Sequence, residues 1–176
     1  MKIFVKAAVL AAALSFGGLA VTTPAYAKSD EIYTSWRNNL AVGGYDVVSF
    51  HQGNPIEGKA KLVASWKDAN WLFATQDNLD KFIESPEKYA PAYGGYCAWA
   101  VANNKLAKGK PKHWTIKDGV LYLNFNKQIK DRWLVDTDGF IAKGNKRHHE
   151  AQQDKRYHGS LRRRDCTPDG GVHRCS

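Results

Sequence analysis

Asp118-Gly119 stands between two apolar, β-prone runs, Trp114-Thr115-Ile116 and Val120-Leu121-Tyr122-Leu123. An Asp-Gly pair flanked in this way supplies the two positive-φ residues of a tight hairpin turn, so an all-helical fold is excluded. Lys61 to Trp66 and Asn70 to Ala74 are similar apolar-aromatic runs split by Lys67-Asp68-Ala69, a second hairpin. Each hairpin precedes a helix with a capping side chain. Thr75 caps one that runs through Ile83 or Glu84, with Leu79, Phe82 and Ile83 on a buried face; Ser85-Pro86 ends it, because the residue before proline avoids the helical region. Asn126 caps the last helix, whose stripe is Ile129, Trp133 and Val135 or Asp136 and which ends near Asp138-Gly139. Asp46 to Phe50 reads as a strand ahead of a Gly53-Asn54-Pro55 turn, and Tyr93 to Ala102, rich in small residues, as a closely packed helix.

These elements predict an α+β fold: a small single domain with two β-hairpins and about three helices around an aromatic core. Six Trp within an aromatic content of 12% make such a core available. The two halves are loosely alike, each a hairpin followed by a helix, without a repeat at solenoid length.

The N-terminus carries a different signal. Lys2 and Lys6 precede a small-apolar stretch from Ala7 to Ala20, and Ala25-Tyr26-Ala27 has the small-x-small pattern of a signal-peptidase site. Residues 1-27 are therefore expected to be a signal peptide, residues 28-40 a lead segment, 41-142 the folded domain and 143-176 a basic tail. The mature protein is expected to be periplasmic or secreted, with no transmembrane segment.

The formal net charge of +9 invites a nucleic-acid reading, but its distribution argues against one. Lys28 to Ala142 holds 15 basic and 13 acidic residues, whereas Lys143 to Ser176 holds nine and four. The tail has only six apolar or aromatic residues, with no helical or strand period, so it is expected to be disordered. It could make weak contact with an anionic surface; no specific nucleic-acid partner is expected, since the body lacks an interleaved aromatic-basic reading surface. His148, His149, His158, Cys166, His173 and Cys175 in the tail match no standard zinc spacing, and Cys166 with Cys175 fits a short disulfide loop or free thiols better.

Gly44-Tyr45-Asp46-Val47-Val48-Ser49-Phe50, Trp71-Leu72-Phe73-Ala74-Thr75, Ser85-Pro86-Glu87-Lys88-Tyr89 and Tyr93-Gly94-Gly95-Tyr96-Cys97-Ala98, with Trp114-Thr115-Ile116 and Asp118 to Asn126, together resemble the exported bacterial branch of the YHS-domain family. The resemblance spans about Ala41 to Ala142; the tail matches nothing in the family's pattern. It implies a heavy-metal module, because small YHS domains are similar to Cys-bearing metal domains attached to copper pumps. The thiols of that pattern fall here on Ala74 and Asn78, so a soft-metal site there lacks its ligands. The scaffold positions Phe73, Phe82, Pro86 and Tyr89 remain.

Cys97 is the single Cys of the body. It reads either as a metal ligand or reactive thiol near a Gly-rich helix start, or as a small buried hydrophobe. His51 and His113 are the body's two imidazoles, both expected in solvated loops; with Cys97 they compose a Cys-His-His set suited to copper or zinc. Tyr93, Tyr96, Trp99 and Tyr45 are candidates for lining an aromatic ligand cleft, against the plainer reading of core aromatics. The expectation is an exported, non-enzymatic binding module for a transition metal or a small ligand. Two alternatives stay open: a thiol-dependent redox accessory or enzyme using Cys97, and an envelope interaction protein without a small ligand. No hydrolase triad, phosphate loop, dinucleotide fingerprint or carboxylate pair of the glycosidase kind is visible, which points away from an enzyme.

Overall fold

The computed structural model describes residues 30–164, so the expected signal peptide and the last part of the tail, including Cys166 and Cys175, lie outside the described residues. The fold is α+β, with the order α1 (Val47–His51), β1 (Lys59–Trp66), β2 (Ala69–Phe73), α2 (Gln76–Glu84), α3 (Pro86–Tyr89), α4 (Ala98–Ala102), β3 (Lys110–Lys117), β4 (Val120–Asn124), α5 (Lys127–Val135) and α6 (Thr137–Arg164). Each hairpin is a separate two-stranded antiparallel sheet. Lys67-Asp68 and Asp118-Gly119 turn them, all four residues at positive φ; β1, β2 and β4 lie within two residues of the expected ends, whereas β3 begins at Lys110, four residues ahead of the expected Trp114. Thr75 and Asn126 cap α2 and α5 by accepting from the backbone N–H groups of Asn78 and Ile129. Among the described residues no helix is long and apolar enough to cross a membrane.

The likeness of the halves is far closer than their sequences suggest. Every element from α1 to α3 reappears 51 residues later with the same length, α3 matching the first turn of α6. The irregularities repeat too: the ladder slips between Lys59 and Val63 in β1 and between Lys110 and Trp114 in β3. A left-handed turn precedes each short helix, Val42-Gly43-Gly44 in one half and Tyr93-Gly94-Gly95 in the other. Gly58 N–H donates to Gly44 at 2.9 Å, and Gly109 N–H to Gly95 at 3.1 Å. Positive φ at a valine and at a tyrosine is costly, so the surrounding packing must hold both turns.

Three expectations are corrected. Asp46 to Phe50 is not a strand: Asp46 accepts from Val48 N and Ser49 N as a helix cap, and Val47, Val48 and Phe50 are buried on all sides of the short helix that follows. The single helix over Tyr93 to Ala102 is instead a left-handed turn, a break at Tyr96-Cys97 and the short α4. The segment expected as a disordered tail is helical through Arg164. Its docking stripe is Phe140, Ile141, Gly144, His148 and Gln152, a helical spacing built largely from residues that a count of apolar side chains passes over. Gly144 is buried against Tyr93, whose hydroxyl hydrogen-bonds the Asn145 side chain at 3.0 Å. Two helix-stripe assignments also differ: Ile83 is 63% and Val135 86% exposed, leaving Leu79 and Phe82, and Trp133, as the buried anchors.

The second hairpin joins two cores. Leu121 and Leu123 face the larger core with Val47, Phe50, Trp71, Phe73 and Phe82, where Phe50 meets Trp114 edge-on at 5.7 Å. Tyr122, on the other face, packs with Tyr93 and Trp133 in a second cluster under α4 and α6. The lead segment belongs to this unit as well. Ile32 is buried in the larger core, Tyr33 N–H donates to Gly94 O at 2.8 Å, and Tyr96 Oη donates to Asp30 O at 3.2 Å.

Candidate functional site

The strap of residues 30–33, the two hairpin turns, the linker after α3 and the flank of α6 line a half-open cleft of about 200 Å³. Trp66 and Lys67 come from the first hairpin turn, Glu87 from α3, Tyr93 from the left-handed turn, Glu31 from the strap and His148 from α6. Lys67 Nζ pairs with Glu31 Oε1 at 2.5 Å and lies 4.6 Å from the centre of the Trp66 ring. His148 meets Tyr93 edge-on at 5.6 Å and contacts the Gln152 amide at 2.9 Å. Burial, then the neighbouring Tyr122, pushes the Tyr93 phenol far above its ordinary value, so it stays a neutral hydrogen-bonding group.

Of the four aromatics expected to line a ligand cleft, Tyr93 alone does so. Tyr45 is tilted against Phe50 at 6.2 Å, Tyr96 stands edge-on to Tyr33 at 5.4 Å, and Trp99 packs in the second core. Tyr45 and Tyr96 are 51 residues apart and occupy equivalent places in the halves, which is why they do not converge.

The positions at which the family resemblance puts thiols are brought together around Asp46. Its Oδ2 accepts from Ala74 N at 2.9 Å and from Asn78 Nδ2 at 2.7 Å, while Oδ1 accepts from Val48 N at 2.9 Å and Ser49 N at 3.3 Å. Asn78 in turn accepts from Gln52 Nε2 at 3.1 Å. One carboxylate saturated by four N–H donors, with no thiolate or imidazole in the cluster, does not fit a copper or zinc ion.

Cys97 holds the place of Asp46 in the second half and is 1% exposed. Its Sγ lies 3.5 Å from Asn124 Oδ1, which also accepts from Trp99 N at 3.3 Å. His51 and His113 sit elsewhere, and among the described residues no group of three or more His, Cys, Asp or Glu side chains is placed to hold a metal ion. The Cys97-His51-His113 set therefore does not assemble. The three residues come from α1, the break before α4, and the bulged part of β3.

His51 ends α1 and meets Tyr89 edge-on at 5.4 Å, and its buried Nε2 has no hydrogen-bond partner among the described residues. Burial lowers its pKa most, a hydrogen bond to the Tyr89 backbone raises it, and the Lys88 ammonium lowers it further. With the native value depressed, the unfolded chain binds the extra proton first. Stability is thus expected to be complete above about pH 6.5 and to fall as pH drops below it, toward the native value. His113, lowered by burial and by Lys110, Lys112 and Lys130, contributes with the same sign. His51→Phe keeps the ring contact and removes the titration, so its urea midpoint should fall less steeply with pH than the parent's; an unchanged slope would refute the assignment.

Sequence reasoning missed Asn124, the Asp46-Asn78 pair and the charged wall of the cleft. An Asp just ahead of a short apolar run is an N-cap signal and could have placed Asp46. The other contacts join residues 27 to 36 positions apart and leave no local mark. No protein-family model, curated protein or solved structure matches the chain.

Proposed function

We propose that this chain is an exported, non-enzymatic binding module of the YHS type, whose ligand is a small organic compound seated in the cleft between its two halves. The observation that carries this reading is the cleft itself: concave, walled by Trp66 and Tyr93, with Glu31, Lys67 and Glu87 as its charged groups. The hairpin-then-helix halves and the aromatic core support the family assignment, and the Lys2 to Ala27 pattern supports export. The metal form of the reading is set aside, because neither the Asp46 cluster nor the Cys97 surroundings offer a soft-metal donor set. A thiol mechanism is not favoured either, since Cys97 is walled off from solvent.

Val120 lines the cleft from the second hairpin turn and is 37% exposed, so Val120→Trp fills the space without entering either core. A panel of cationic, neutral and anionic metabolites is to be screened by thermal shift against the parent and this variant. At least one compound should raise the parent's melting temperature and leave the variant's unchanged. If no compound behaves so, or if the isolated protein carries stoichiometric copper or zinc, the reading is wrong.

A further inference from the structure

Resting on that cleft as the ligand site, the geometry points to a small organic cation, a protonated or quaternary amine, as the class of ligand. Charge is the first reason. Glu31 and Glu87 face a single ammonium, Lys67, so carboxylates outnumber ammonium groups along the cleft, within a chain of net charge +9. Glu31 is already engaged by Lys67, whereas Glu87 has neither an ion pair nor a hydrogen bond among the described residues. An anion entering the cleft would meet that free carboxylate, and a cation would neutralise it.

The walls give the second reason. The Lys67 ammonium, held between the Glu31 carboxylate and the Trp66 ring, shows that this indole and carboxylate pair accommodates an alkylammonium. Glu87 lines the same cleft and offers a ligand amine a second carboxylate. Size is the third: at about 200 Å³ the cleft is smaller than the ~300–1,000 Å³ of sites for drug-sized molecules, which restricts the ligand to a compact headgroup.

The test compares choline with 3,3-dimethyl-1-butanol, its neutral isostere, at constant ionic strength. The readout is the Trp66 indole N–H resonance of the isotope-labelled whole protein. Choline should shift that resonance saturably and bind about tenfold more tightly than the alcohol, the ratio expected when a partly exposed ring and one carboxylate discriminate charge. Glu87→Gln, on an exposed residue, should weaken choline about three- to fivefold and leave the alcohol unaffected. Equal binding of the two compounds overturns the cationic class while the cleft stands, as does an anionic or neutral panel compound that binds where choline does not. Undiminished choline binding to Glu87→Gln overturns the role of that carboxylate. Loss of every compound sensitive to Val120→Trp overturns the cleft reading itself, and this inference with it.

Discussion

Replacing Asp46 with alanine is expected to cost about 3–5 kcal/mol of folding stability, the range for removing one partner from a buried, hydrogen-bonded charge cluster. Asp46 is 0% exposed and ties together three elements: the start of α1 through Val48 and Ser49, the end of β2 through Ala74, and α2 through Asn78. Alanine leaves the Ala74 N–H and the Asn78 amide facing a void, and each abandoned donor costs about 1–3 kcal/mol. Asn in its place should cost less. Its oxygen can keep the cap, and its new NH₂ group can be met by turning over the Asn78 amide, provided the Gln52 amide turns over with it so that its oxygen accepts from Asn78; only the Ala74 N–H has no such remedy. Cys97→Ala, at the equivalent position, breaks only a 3.5 Å contact to Asn124 and should cost less than half as much as Asp46→Ala. Urea unfolding of the variants at unchanged m-value decides the order. An Asp46→Ala variant within about 1 kcal/mol of the parent would refute the account of the cluster.

The parts of the fold legible in the sequence are those written locally. Asp118-Gly119, the caps Thr75 and Asn126, and Ser85-Pro86 each act within four residues, and each marks the boundary expected of it. Where the reading failed, tertiary context overrode a local preference. Val47, Val48 and Phe50 favour a strand by residue type, but the Asp46 side chain satisfies the first amides of a helix, and a short helix buried on every side needs no polar face. The tail failed for the opposite reason. Composition counts apolar residues, whereas α6 docks through Gly144 packed on Tyr93 and through His148 and Gln152, none of which such a count includes. Site residues were harder still: Tyr93 could be named as an aromatic near a turn, but its meeting with Trp66, Glu87 and His148 depends on how the two halves close.

The two equivalent halves differ in how well their buried polar groups are satisfied. In the first half the Asp46 position is a saturated polar junction, while in the second it is a thiol beside an asparagine whose Nδ2 is buried without a partner among the described residues. Among the described residues Thr115 Oγ1 and Trp133 Nε1, also without partners, lie in the same half, against His51 Nε2 alone in the first: Thr115 pairs across the hairpin with Tyr122, and Trp133 packs on Tyr122 at 5.2 Å. The first half is thus the better-satisfied unit. The second relies on burial beneath α6, an element whose first turn alone has a counterpart in the first half. Disruption of the Asp46 junction should therefore unfold the whole domain, since Leu121 and Leu123 of the second hairpin share the core that Asp46 organises.

Gly94→Ala is expected to destabilise by about 3 kcal/mol, combining the cost of a left-handed conformation for an L residue with that of lifting the strap. Gly94 has φ +64°, and a Cβ built on it would be driven into the Glu31 carbonyl oxygen, with Ile32 Cα 3.1 Å away. These are backbone atoms, so no side-chain rotation relieves the clash. The strap must move, and with it go the Tyr33 N–H bond to Gly94 O, the burial of Ile32 and the placement of Glu31 beside Lys67. Gly53 is the control: its φ is +76°, but a Cβ there meets nothing within 4 Å, so Gly53→Ala should show the conformational cost alone, about 1 kcal/mol. Amide exchange at Tyr33 separates the two effects. It should accelerate in Gly94→Ala beyond the change in global stability, and remain tied to global stability in Gly53→Ala. Equal losses in the two variants, with Tyr33 still protected, would show that the strap does not depend on the missing side chain at position 94.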